Sequence, residues 1–123
     1  MDTKRVMLRF VAGAAGLLMA GALPLLAHHS FQAQYDEAMP VTLMGTVTKV
    51  VWKNPHVQVN LDVKDADGDV KNWLLELNSP NALMSQGWKV DSIKQGDQIT
   101  VTGFRAKDGS NIASARKVTL AAR

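Results

Sequence analysis

Three histidines, His28, His29 and His56, are the residues of this chain best suited to chemistry, because imidazole nitrogen binds copper or zinc and titrates near neutral pH. Two of them stand side by side, directly after an uncharged apolar stretch that ends at Ala27. Cleavage at that point makes His28 the amino terminus. A terminal histidine offers its free α-amine and its ring Nδ1 together. A further imidazole from His29 or His56 would then complete a small site resembling the histidine-brace copper centres of other secreted proteins. Amine and imidazole nitrogens suit Cu(II), so copper is the metal to expect if one binds. The competing reading is structural: paired histidines at a chain end are commonly just solvated, and a histidine after Pro55 at the start of a strand commonly serves as a backbone-directed donor.

A second group consists of Trp52, Asn54, Gln58 and Asn60. An aromatic face beside amides reads a sugar or a peptide, and the same residues serve equally to bury a loop. Trp73 and Trp88 are expected to pack in the core. Asp65, Asp67 and Asp69, with Glu76 in the twelfth position, mimic the acid spacing of a calcium loop. Val70 stands where the sharp-turn glycine belongs, and no helices flank the segment, so a hairpin turn is the better reading. Ser30 and Ser79 have no nucleophile-elbow context, and Glu76 alone makes no acid/base pair. A conventional enzyme is therefore disfavoured.

These side chains must be carried by strands. Val41, Leu43, Gly45 and Val47 alternate with polar residues, which predicts a half-buried first strand in which Gly45 marks a bend or bulge. After Asn54-Pro55, Val57, Val59, Leu61 and Val63 alternate with His56, Gln58, Asn60, Asp62 and Lys64. This is the clearest strand pattern in the chain. A turn at 65–69, with Gly68 accepting positive φ, leads into a third strand from Val70 to Leu77 with Trp73, Leu75 and Leu77 inward. Ser79 as cap, Pro80 at the first helical position and Gly87 at the end predict one short helix. A fourth strand carries Ile99 and Val101 inward, and Lys107-Asp108-Gly109-Ser110 turns into a fifth strand from Ile112 to Leu120. The fold class expected is all-β with one short helix: a small OB-like five-stranded Greek-key barrel in which the helix plugs one end.

Export is expected from the amino terminus. Lys4, Arg5 and Arg9 precede an uncharged run from Phe10 to Ala27, which is the pattern of a secretory signal peptide. Residues 1–27 are thus expected to be a signal peptide, 28–40 an irregular arm and 41–123 the barrel. The chain without its leader has 11 basic and 10 acidic residues and a net charge of about +1. From that balance nucleic acid is excluded as a partner, and no stable membrane insertion is expected after cleavage. With no cysteine in the chain, stability outside the cytoplasm rests on packing and strand pairing.

The motifs His28-His29-Ser30-Phe31, Trp52-x-Asn54-Pro55-His56, Trp73-x-x-Glu76-Leu77, Ser79-Pro80-Asn81-x-Leu83, Gly87-Trp88, Lys94-x-Gly96-Asp97 and Ala106-Lys107-Asp108-Gly109-Ser110 together resemble a family of exported bacterial proteins carried as a domain of unknown function. The resemblance spans nearly all of the sequence after the leader. It implies a signal peptide, an OB-like barrel and an extracytoplasmic location, and no established activity. The function expected is a periplasmic or secreted module that binds copper or a small ligand through the histidines. The alternative is an interaction domain that docks on another envelope protein through a strand edge or the arm.

Overall fold

A computed structural model describes residues 31–121. From Gln34 onward the chain forms one compact unit. Its elements are β1 (Tyr35–Val51), β2 (Gln58–Lys64), β3 (Val70–Glu76), α1 (Pro80–Ser85), β4 (Gln98–Ala106) and β5 (Ile112–Leu120). The strands close into a barrel in the order β1-β2-β3-β5-β4, with β3 and β5 parallel and the other pairs antiparallel. This is the OB-like fold expected from the sequence.

Period-two alternation on β2, β3 and β4 fills the barrel. Val59, Leu61, Trp73, Leu75, Ile99 and Val101 are all buried, and Leu61 and Leu75 have no exposed surface. Leu83 of α1 joins this core. The helix boundaries are set by local chemistry. Ser79 Oγ accepts from Ala82 N at 3.2 Å, and Pro80 occupies the first turn. At the other end Gly87 takes φ +95°, Gly87 N donates to Met84 O, and Trp88 N donates to Leu83 O, both at 3.0 Å. That pair of bonds is a Schellman termination.

β1 is a single 17-residue strand whose first part pairs with β4 and whose second part pairs with β2. The two partners overlap at Gly45 and Thr46, where β1 is paired on both edges. A side chain on Gly45 would collide with the carbonyl oxygen of Asp62, so glycine is required there by close approach. The expected bulge lies elsewhere. Pairing runs unbroken through Gly45, and the register with β2 shifts between Val47 and Lys49, which makes Thr48 the extra residue.

A second difference concerns the segment expected to be an irregular arm. Tyr35–Pro40 belongs to β1, although its register with β4 shifts between Tyr35 and Pro40. Glu37 to Pro40 are exposed, so no alternation of apolar residues marks the strand. Pairing with β4, rather than burial, defines it there.

Candidate functional site

His56 lies in the loop between β1 and β2, two residues before Gln58. Bonds to the end of β3 hold that loop: Val57 N donates to Asn78 O at 3.1 Å, and Leu77 N donates to Val57 O at 2.8 Å. The imidazole is part of the same junction, with Nδ1 3.0 Å from Leu77 O. A carbonyl oxygen can only accept, so Nδ1 carries the hydrogen and the Nε2 lone pair is left for another partner. The residue itself is exposed. His28 and His29 lie outside the described residues, as do the leader and its cleavage point. Among the described residues no group of three or more His, Cys, Asp or Glu side chains could hold a metal.

The residues grouped with it by sequence separate in space by role. Trp52 is half-buried and packs against the core, while Asn54 is exposed beside Pro55. Gln58 and Asn60 stand half-buried on the outer face of β2, opposite Glu76 and Leu74 of β3. Asn60 Nδ2 donates to Asn72 Oδ1 at 3.0 Å, and Asn72 Nδ2 donates to Asp62 Oδ1 at 2.9 Å. A longer bond of 3.4 Å joins Asn72 Nδ2 to Thr48 Oγ1. The outer face of β1, β2 and β3 therefore carries an ordered row of amides and hydroxyls. Asn72 organises it and was not singled out by the sequence, because the register that sets it between Asn60 and Asp62 is a cross-strand property.

Two further pairs escaped the sequence reading. Tyr35 is buried at the start of β1, and its hydroxyl donates to Glu76 Oε2 on β3. Burial pushes the phenol well above its ordinary range, and the hydrogen bond to the Glu76 carboxylate and its negative charge push in the same direction. Trp73 packs in the core as expected, and the Arg105 guanidinium covers its ring at 4.9 Å. Arg105 is in turn fixed by the β4–β5 turn, donating from Nε to Ser110 O at 3.1 Å and from Nη2 to Asn111 Oδ1 at 2.9 Å. In the same turn the Ser110 hydroxyl and amide both bond Asp108, which holds its carboxyl below the usual range.

A family model described as a family of unknown function (DUF6152) matches residues 15–115. No curated protein matches the chain. Among solved structures, the mitochondrial single-stranded DNA binding protein Rim1 of S. cerevisiae is similar over 66% of this chain and 91% of its own, with 8% identity and a TM-score of 0.51. A second crystal form gives 7% identity over 66% and 90%, again with a TM-score of 0.51. At such identity the likeness establishes the OB-like fold. It also corrects the exclusion of nucleic acid as a partner, since proteins described as binding single-stranded DNA are built on this barrel. The physical reason is that net charge averages over the whole chain, whereas single-strand binding depends on a local groove and on stacking.

Proposed function

We propose, for a chain that belongs to the DUF6152 family of unknown function, that the barrel is an exported module that binds a metal ion, copper foremost, through His56 and the histidines of a processed amino terminus. The observation that carries this reading is the 3.0 Å contact between His56 Nδ1 and Leu77 O. A histidine whose Nδ1 hydrogen is held by a backbone carbonyl is fixed in tautomer and orientation, with Nε2 directed to a ligand position. A single imidazole binds weakly, so the proposal needs partners that bring their own nitrogens. Removal of residues 1–27 supplies them: the α-amine and ring of His28, and the ring of His29. The location in this reading is the periplasm or the exterior, the compartment reached through a signal peptide.

The test uses chain processed at Ala27 and compares it with chain carrying one extra residue before His28. The processed form should bind Cu(II) much more tightly, with the fold unchanged in both. Equal weak binding by the two forms would reduce the histidine terminus to a tail.

A specific feature of the sheet supports a second reading, docking on an envelope protein. β3 and β5 share only three residue pairs, Leu74 to Glu76 with Ile112 to Ser114. The first part of β3 pairs with β2 alone, and Val70 at its start is exposed. An edge of that kind accepts a strand from a partner. If so, deletion of the histidines would leave partner capture intact, whereas a proline in place of Asn72 would abolish it.

A further inference from the structure

The outer surface between β1, β2 and β4 sinks into a groove of about 530 Å³, inside the roughly 300–1,000 Å³ range of small-ligand sites. Neither His56 nor Trp52 nor Asn54 lines it. Its centre is the tight middle of β1, where Gly45 and Thr46 pair with β2 on one side and with β4 on the other. Met44 and Val70, 69% and 60% exposed, supply apolar surface. Asp62, Lys64 and Gln98 supply polar groups around it.

Three of the polar groups already hold side-chain hydrogen bonds. Gln98 Nε2 donates to Thr46 Oγ1 at 2.6 Å. That bond uses a lone pair of the hydroxyl, which keeps its hydrogen to give, while Gln98 keeps a carbonyl oxygen to accept. Asp62 Oδ1 is oriented by Asn72 Nδ2, which directs the second carboxylate oxygen as a further acceptor. Lys64 adds an ammonium donor. The groove thus combines acceptors, donors and apolar patches within one ligand-sized volume.

We propose that this groove binds the ring of a neutral saccharide. Sugar hydroxyls donate and accept at once, which is what this mixed set demands, and the C–H faces of a sugar ring match Met44 and Val70. Small ions are poor fits, because the opposite charges of Asp62 and Lys64 offset each other around the groove. A strand-forming peptide is a poor fit as well: the strand at the centre already has a partner on each edge, so its backbone has no ladder bonds left to offer.

The experiment is a heteronuclear NMR titration of the isotope-labelled full chain with cellotetraose and chitotetraose to millimolar concentration, with a thymidine oligonucleotide as a separate arm. At least one tetrasaccharide should move the amides of Met44, Thr46, Asp62, Val70 and Gln98. Gln98→Ala and Val70→Ser, both at exposed positions, should lower the affinity about tenfold or more, the scale of one lost polar or apolar contact, without altering the rest of the spectrum. The proposal is overturned if neither saccharide shifts these amides, or if both variants bind as tightly as the natural chain. Shifts confined to another face would also overturn it. So would an oligonucleotide that moves the groove amides when the saccharides do not, since the groove would then belong to nucleic acid.

Discussion

His56 and Tyr35 illustrate opposite uses of a polar side chain at a strand end. His56 spends Nδ1 on the Leu77 carbonyl, which leaves Nε2 for the ligand proposed above. His56→Ala should lower Cu(II) affinity by more than the roughly 10–100-fold that follows loss of an outer-sphere partner alone, and calorimetric titration reads that difference. Tyr35 is buried, and its hydroxyl is committed to Glu76, 41 residues away in sequence. Tyr35→Phe should cost about 1–3 kcal/mol by leaving that carboxylate without its donor. The pH dependence has a definite sign. Because the folded-state phenol titrates above its ordinary value of 10.0, the folded protein retains a proton that the unfolded chain releases. Its contribution is complete below pH 10 and declines as pH rises further. Urea titrations from neutral to alkaline pH should therefore lose stability more steeply in the natural chain than in Tyr35→Phe. Parallel curves would dissociate the phenol from the effect.

At the scale of elements, β1 decides the architecture, because one strand serves two neighbours and must coil where they meet. Gly45→Ala should cost roughly 1–3 kcal/mol or more, since the added methyl meets the Asp62 carbonyl with no room to relax. Leu61→Ala, in the fully buried row of β2, should cost about 2–5 kcal/mol, whereas Gln58→Ala on the opposite face should stay within about 0.5 kcal/mol. Denaturant midpoints at constant slope distinguish these cases, and equal losses at Leu61 and Gln58 would refute the assignment of faces. These faces were legible in the sequence because burial on one side of β2 imposes strict alternation. The capped helix was legible too, since Ser79, Pro80 and Gly87 act within a few residues of themselves. Tyr35–Pro40 was not, because its strand is held by pairing with β4 while its charged and exposed residues carry no period. The bulge at Thr48 was equally hidden: a register shift answers to strand coiling, and Gly45, the residue that signals the coil, lies three positions away.

At the scale of the whole molecule, a cysteine-free barrel held by packing and strand pairing stands beside an amino terminus that would supply ligands only after the proposed export and cleavage. Cell fractionation followed by intact mass should find a periplasmic species that begins at His28. A full-length species retained in the membrane would remove the terminal amine from the account. Legibility divides along the same line for the candidate site. His56 could be singled out by residue type, but the carbonyl that orients it lies 21 residues on, beyond any local pattern. The exclusion of nucleic acid rested on net charge, and an average over the chain hides local surfaces. The most direct test of the central claim is electron paramagnetic resonance of stoichiometric Cu(II) on three samples: processed chain, chain with one residue added before His28, and processed His56→Ala. A nitrogen-rich type 2 signal in the first, with loss of amine coordination in the second and of one imidazole in the third, is the predicted result. The same weak signal in all three would contradict the claim that His56 and the histidine terminus form a metal site.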